Sequence, residues 1–420
     1  MSQQGPVIVV STAGRPPFAA ALDHANLFPV IDATWADAPR AVGELQPAAV
    51  LVAMPAPDAP GLDRLARQVA AARPYLPLIA VYPQLPDAPV LAWQPPLPEN
   101  AIAFSPDGTN FDRLIARLRA ALRVRSLHAT VLRRLDGDPQ APDALSDIDP
   151  VRDATVLLIG RGTAYPALSV SLGERMGLVG AFSIEAAATH LNARDIDGVV
   201  LGEGFSPRVM DAFLTVLAED ARFRNLAVVL TSDELSPAYD LPNLEIIGGE
   251  PARIASMALP LIRQHALEAH LSRTLRSIDG GGLLDPRTGL LTRAAFNRDF
   301  ATAVHQTLSR GGGLSVARFA FDPADARGQR DGARIISRLM RQMDFGAAQE
   351  DGSVVVAFAD TDLRTAHMIA RRLVSVIRST DHGKRDARSD PGVTLATLLP
   401  SDSTRSLLAR LQSDTRRAAS

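Results

Sequence analysis

The chain has no cysteine in its 420 residues. That excludes disulfides, thiolate nucleophiles and cysteine-ligated metal sites. It also lacks a run of about 18 uncharged apolar residues, so no membrane span is expected. The opening, Met1-Ser-Gln-Gln-Gly-Pro6, has neither the basic stretch nor the apolar run of a secretory leader. The expected location is therefore cytoplasmic. Neither sign of charge dominates: the formal net charge is −2. No general polyanion-binding surface follows from that, and no nucleic-acid partner is expected, although a local basic pocket is compatible. What remains is ordinary for a soluble globular chain, with 46% hydrophobic and 21% charged residues. The length suggests about three domains.

The first third alternates short apolar runs with helical patterns. Val7–Val10, Ala49–Ala53, Leu78–Val81 and the weaker Ala101–Phe104 read as buried parallel strands. Helices fit 15–25, 36–45 and 61–73. A longer amphipathic helix fits 111–134, with Leu114, Ile115, Leu118, Leu122 and Leu127 near one face. Residues 136–150 are rich in Asp and Pro and read as a linker. The strand pattern then repeats at Thr155–Ile159, Gly198–Leu201, Leu226–Leu230 and Leu244–Ile247. Two successive β/α units imply two doubly wound domains. A helix over 252–277 ends at Gly280-Gly-Gly282.

The last third reads differently. A helix covers 292–309, a strand 314–321 and a helix 331–343. A hairpin follows with arms 346–349 and 353–358, then a helix 362–379, a strand 393–399 and a short final helix. Asp285-Pro-Arg-Thr-Gly-Leu-Leu-Thr-Arg-Ala-Ala-Phe296 resembles the D-x-L-T-G-L-x-N-R-x-x-F opening of GGDEF domains, the diguanylate cyclase family. In that family an R-x-x-D motif stands five residues before the GGDEF signature. Arg341-Gln-Met-Asp344 stands in that frame, with Phe345 to Gln349 as the five residues. R-x-x-D recurs at Arg133, Arg194, Arg208 and Arg276, so the framing distinguishes this copy.

Measured against the family pattern, the catalytic chemistry is missing. The signature slot reads Glu350-Asp351-Gly352-Ser353-Val354. Asp-Gly suits the tip of a two-residue hairpin, so the tip reads as an ordinary turn. Ala320 stands where the resemblance places the first metal-binding Asp, and Asp322 takes the second position. The guanine- and phosphate-reading run between strand and helix is shortened. In the final helix Thr415-Arg416 and Ala419 replace the family's Leu-Tyr and Lys. Neither a catalytic residue nor a metal ligand is assigned, no cofactor is expected, and the chain is expected not to be an enzyme. The acids of the slot read as solvated turn residues.

The product-binding pattern is retained. The resemblance implies cyclic diguanylate (c-di-GMP) as ligand, held by Arg341, Asp344 and Arg372. Arg372 lies 31 residues past Arg341, where the family often supplies a further arginine. A guanidinium donates in pairs to guanine O6/N7 or to phosphate, and stacks on a purine. A carboxylate accepts from the guanine N1–H and N2–H₂ edge. The bland alternative is a surface ion pair at a helix end, contributing about 0–1 kcal/mol.

The two N-terminal units resemble receiver domains, in the receiver–receiver–GGDEF layout of PleD-type bacterial response regulators. A working receiver needs an acidic pair, an acceptor Asp and a Lys. The first unit offers Ser11-Thr12, Ala53-Met54 and Ser105-Pro106 in those slots; the second offers Gly160-Arg161, Gly202-Glu203 and Glu250-Pro251. Glu203 reads either as a fixed mimic of a phosphorylated Asp or as a solvated loop acid. Gly160-Arg-Gly162 with Glu185 matches two glycines of a dinucleotide fingerprint, but Pro166 holds the third position. A plain tight turn is the favoured reading.

The expected fold class is α/β: two doubly wound receiver-like (flavodoxin-like) domains at 1–135 and 153–265, then a degenerate GGDEF-like α/β domain at 285–420. Residues 136–152 and 266–284 connect them. The expected function is a catalytically inactive effector that binds c-di-GMP and relays it to unknown protein partners, as a homodimer by family resemblance. The alternatives are a ligand-independent scaffold and residual diguanylate cyclase activity.

Overall fold

The computed structural model describes residues 6–12, 14–25, 29–54, 61–83, 97–106, 111–135, 154–231, 239–310, 313–341, 343–359, 361–378 and 391–418. The expected linker at 136–152 lies outside them. No described helix is long and apolar enough to cross a membrane. The chain divides into two compact units: residues 1–176, 181–184 and 197–271, and residues 177–180, 185–196 and 272–420.

In the first unit, strands β1 (Val7–Ser11), β2 (Val30–Thr34), β3 (Ala49–Ala53), β4 (Leu78–Val81) and β5 (Ala101–Phe104) form a parallel sheet in the order β2-β1-β3-β4-β5. The inner strands are continuous apolar runs with almost no exposed surface, as sheets covered on both faces require. Helices α1 (Pro17–His24), α2 (Ala38–Leu45) and α3 (Leu62–Ala71) connect them, and α4 (Asp112–Leu135) follows β5.

The second sheet repeats the topology. Strands β6 (Thr155–Ile159), β7 (Gly177–Ala181), β8 (Gly198–Leu201), β9 (Ala227–Leu230) and β10 (Leu244–Ile246) take the order β7-β6-β8-β9-β10. Its helices are α5 (Tyr165–Gly173), α6 (Ile184–Ala193), α7 (Pro207–Glu219) and α8 (Pro251–Asp279). Counted within each sheet the order is 2-1-3-4-5, the flavodoxin-like arrangement. Strands β2 and β7 were not among the expected strands, and both lie at sheet edges.

Within the first unit the two sheets are joined by a buried ion pair. Arg117 of α4 is fully buried and donates to Glu245 of β10 at 2.6 Å. Its other N–H groups reach the carbonyls of Ala103, Pro242 and Leu244. Burial lowers the Arg117 pKa, and Glu245 opposes that shift. Every polar arm of the guanidinium is used, as a buried charge requires.

The second unit holds an antiparallel sheet in the order β12-β13-β11-β14, from β11 (Leu314–Ala320), β12 (Phe345–Ala348), β13 (Val354–Ala359) and β14 (Gly392–Thr397). Side chains alternate across it with period two. Val354, Val356 and Phe358 join one core with Ile335, Ile336, Ala370 and Leu373, from α10 (Ala326–Leu339) and α11 (Leu363–Arg378). Val355 and Ala357 join the opposite core with Phe296, Phe300 and Leu407, from α9 (Arg293–Arg310) and α12 (Thr404–Ala418).

Three expectations are corrected here. Helix α10 starts at Ala326 rather than 331, because the Asp325 side chain accepts from the Gly328 N–H and caps it. It stops at Leu339, so Arg341 lies past the helix instead of inside it. The final helix is not short, at 15 residues.

Candidate functional site

The opening motif folds as a turn. Asp285 accepts from the Arg287 N–H and the Thr288 hydroxyl through its carboxylate, and from the Gly289 N–H through its carbonyl. Leu290 is buried, and the Leu291 N–H donates to Gly346 O, which fastens the turn to β12.

The R-x-x-D residues form the next turn. Met340 leaves α10 in an extended conformation, and the Asp344 N–H donates back to Arg341 O at 3.0 Å. Arg338, one turn earlier, is occupied within the same unit by Asp195 at 2.9 Å and by the carbonyls of Arg194 and Leu191. Arg341 is exposed, and among the described residues no hydrogen bond or ion pair holds its side chain.

Asp344 is the unusual member. It is only 7% exposed. Its Oδ1 accepts a long bond from the Ala359 N–H, 3.3 Å. Its Oδ2 is buried and has no partner among the described residues. Burial raises its pKa, opposed by backbone N–H groups at Arg341 and Ala359 and by the Arg341 charge. An unsatisfied buried acceptor costs roughly 1–3 kcal/mol, and more when charged. Arg372 is exposed on α11; among the described residues no hydrogen bond or ion pair joins it to Arg341 or Asp344. The turn thus brings two of the three expected residues together, and the third stands on a separate element.

The signature slot departs from the two-residue turn expected of it. Gly352 donates to Gln349 O and Gln349 to Ser353 O, with Gly352 at φ +76°. Asp351 is not at positive φ. This is a three-residue loop, a turn closed by one left-handed residue. Its acids are exposed, as expected, and each also pairs with an arginine. Glu350 pairs with Arg293 of α9. Asp351 pairs with Arg318 of β11 at 2.6 Å and accepts from the Ser353 N–H and hydroxyl. Burial acts to raise the Asp351 pKa; the Ser353 donors and Arg318 outweigh it and hold the group below the usual carboxylate value.

These four charges rim a cavity of about 320 Å³ between α9, the hairpin and α12. Ala320 pairs with Gly392 at the strand end, and Asp322 accepts from the Ala324 N–H in a local turn. Among the described residues no cluster of three His, Asp or Glu suits a metal ion. Arg293 and Arg318 were not singled out in the sequence. The signal available was an arginine inside an otherwise apolar strand.

The receiver-like slots are filled by local contacts. Ser11 bonds Gly14 O, and the Ser105 N–H donates to the buried Glu245 at 3.2 Å. In the second sheet the N–H groups of Arg161 and Gly162 both donate to Glu203 O. The Arg161 guanidinium lies over the Phe205 ring, 5.2 Å from its centroid. The glycine pair therefore forms a turn against the Glu203 loop. Glu250 caps α8, its carbonyl accepting from Arg253 and Ile254.

No family model matches the chain, and no curated protein matches it in sequence. Solved structures with partial similarity include the coiled coil and GGDEF domain of DgcB from Caulobacter crescentus in complex with c-di-GMP, 18% identical over 34% of this chain and 83% of that one, TM-score 0.28. The FimX GGDEF domain from Pseudomonas aeruginosa is 19% identical over 31% of this chain and 89% of that one, TM-score 0.27. Diguanylate cyclase SiaD with its activator SiaC, also from Pseudomonas aeruginosa, is 14% identical over 35% of this chain and 64% of that one, TM-score 0.30. Likeness of this degree carries no argument about activity or ligand.

Proposed function

We propose that the chain is a catalytically inactive signalling protein of the GGDEF type that binds c-di-GMP and relays it to a protein partner. The observation that carries this reading is the Arg341–Asp344 turn, with its exposed guanidinium and its buried, half-satisfied carboxylate. Asp344 Oδ2 accepts a guanine N–H, which offsets the cost of leaving it bare. Arg341 donates to guanine O6/N7 or to phosphate oxygens, and Arg372 supplies a second positive charge from α11.

Two features support inactivity. The acids of the signature slot are paired with Arg293 and Arg318, so guanidinium groups already neutralise the carboxylates that a divalent ion would need. The strand end has Ala320 in place of an acid. Phosphoryl transfer depends on metal and electrostatic clamps, each contributing several kcal/mol. Incubation with GTP and Mg²⁺ or Mn²⁺ is expected to yield no c-di-GMP; product formation would overturn inactivity.

Isothermal titration of c-di-GMP into the full chain tests the binding. Low-micromolar or tighter binding, lost in Arg341→Ala with folding intact, is the expected result. Absence of heat with folded protein would leave the scaffold reading. That alternative is favoured by the receiver-like slots, which are filled by internal contacts such as Ser105 on Glu245.

A further inference from the structure

The end of α6 touches both elements that carry the arginines assigned to the ligand. The helix stops at Ala193, and Arg194 and Asp195 follow it. The Arg194 side chain is only 1% exposed. It donates to Val376 O at 2.8 Å, in the last turn of α11 and past Arg372. Burial lowers the Arg194 pKa, and the Asp331 charge on α10 opposes that fall. In the reverse direction, Arg338 in the last turn of α10 donates to Leu191 O, to Arg194 O and to the Asp195 carboxylate. Each guanidinium thus meets a helix C-terminus, where positive charge is favoured. One short segment therefore grips α10 and α11 within about one helical turn of Arg341 and Arg372. All of these residues belong to the second unit.

We propose that Arg194 and Asp195 are positioning residues that set the separation of the Arg341–Asp344 turn and α11 before ligand arrives. This deepens the c-di-GMP reading and rests on it. The shared core holds α10 and α11 side by side through residues such as Ile336 and Leu373. The clasp fixes their C-terminal ends, next to the arginines assigned to the ligand. A ligand held by both arginines binds more tightly when their spacing is already set, because less ordering cost falls on binding. Neither positioning residue needs to touch the ligand.

The chain has no native cysteine, so two introduced thiols carry the only labels. Met343→Cys in the turn and Met368→Cys on α11 replace exposed residues. Pulsed electron resonance of the spin-labelled full chain, without ligand, is expected to give one narrow distance distribution. Asp195→Ala and Arg338→Ala are each expected to broaden or shift it. Arg273 of α8 stands 3.6 Å from Asp195, so Arg338→Ala isolates the grip on α10. Calorimetric titration of unlabelled chains is expected to show c-di-GMP affinity weakened about fivefold or more in both variants, the lower edge of coupling between sites. In an Arg372→Ala background the same substitutions are expected to add nothing, because the element they position no longer carries the charge. A general structural loss would weaken binding equally in either background. Unchanged label distances, wild-type affinity in both variants, or equal weakening in the Arg372→Ala background would each overturn the clasp. Failure of the wild type to bind would sink the c-di-GMP reading instead, and the label distances would then decide the clasp alone.

Discussion

Asp344 concentrates the site's chemistry in one carboxyl group. Burial raises its pKa, so the folded chain holds this proton more tightly than the unfolded chain does. The group therefore favours the fold at low pH, and that contribution is lost as pH rises through the raised value. For the proposed c-di-GMP site, binding is expected to have the opposite sign, because a guanine edge takes the ionised acceptor. Affinity for c-di-GMP is expected to fall on acidification, with a midpoint above the ordinary aspartate value of 3.8. Asp344→Asn should weaken binding by roughly 1.5–3 kcal/mol, the range for a hydrogen bond to a charged group, and flatten the profile. Titrations of both proteins across pH 4–8 check this. A wild-type profile that is flat throughout would remove Asp344 from the site. The R-x-x-D pair was legible because its frame to the hairpin is linear in the chain. The arginines on Glu350 and Asp351 were not, since Arg293 and Arg318 reach the loop only through tertiary packing.

At the scale of elements, the hairpin loop is set by Gly352. Its φ of +76° is open to glycine at little cost. A Cβ there would also meet the Gln329 side chain at 2.3 Å, and Gln329 bonds Asp322 O. Gly352→Ala is expected to cost about 1–2 kcal/mol, the left-handed penalty for an L-residue. Urea denaturation measures it. The same scale shows why some elements were hidden in the sequence. The central strands are unbroken apolar runs and stand out. Strand β2, Val-Ile-Asp-Ala-Thr, is an edge strand with partly exposed positions, and β7 carries two glycines. Strand β2 lacks a buried run, and in β7, though it is mostly buried, the glycines interrupt the apolar run that marks a central strand in the sequence. Helix α10 begins in a polar stretch with Gly328, which reads as loop. Its Gly332 is there for close approach, since a Cβ would meet the Phe321 ring at 2.4 Å. Packing and the Asp325 cap decide that helix, against its local propensity.

At the scale of the whole first unit, Arg117 and Glu245 decide whether two similar sheets behave as two domains or one. A receiver that signals by phosphorylation needs freedom to shift its surface. Here the β5 end of the first sheet is bonded through Ser105 and Arg117 to β10 of the second. Both charges are buried, so removing Glu245 leaves the Arg117 guanidinium with neutral carbonyl partners only and no counter-charge among them. Glu245→Ala is expected to cost roughly 3–5 kcal/mol. Replacing both, as Arg117→Met with Glu245→Leu, should recover part of that loss. Recovery stays incomplete because the carbonyls of Ala103, Pro242 and Leu244 lose their donor. Hydrogen exchange resolves the consequence for cooperativity. In the wild type the amides of β3 and β8 should exchange with one common free energy, as a single unfolding unit. In Glu245→Ala the two sets should separate. Separate exchange already in the wild type would mean that the ion pair does not couple the sheets, and that each unfolds alone.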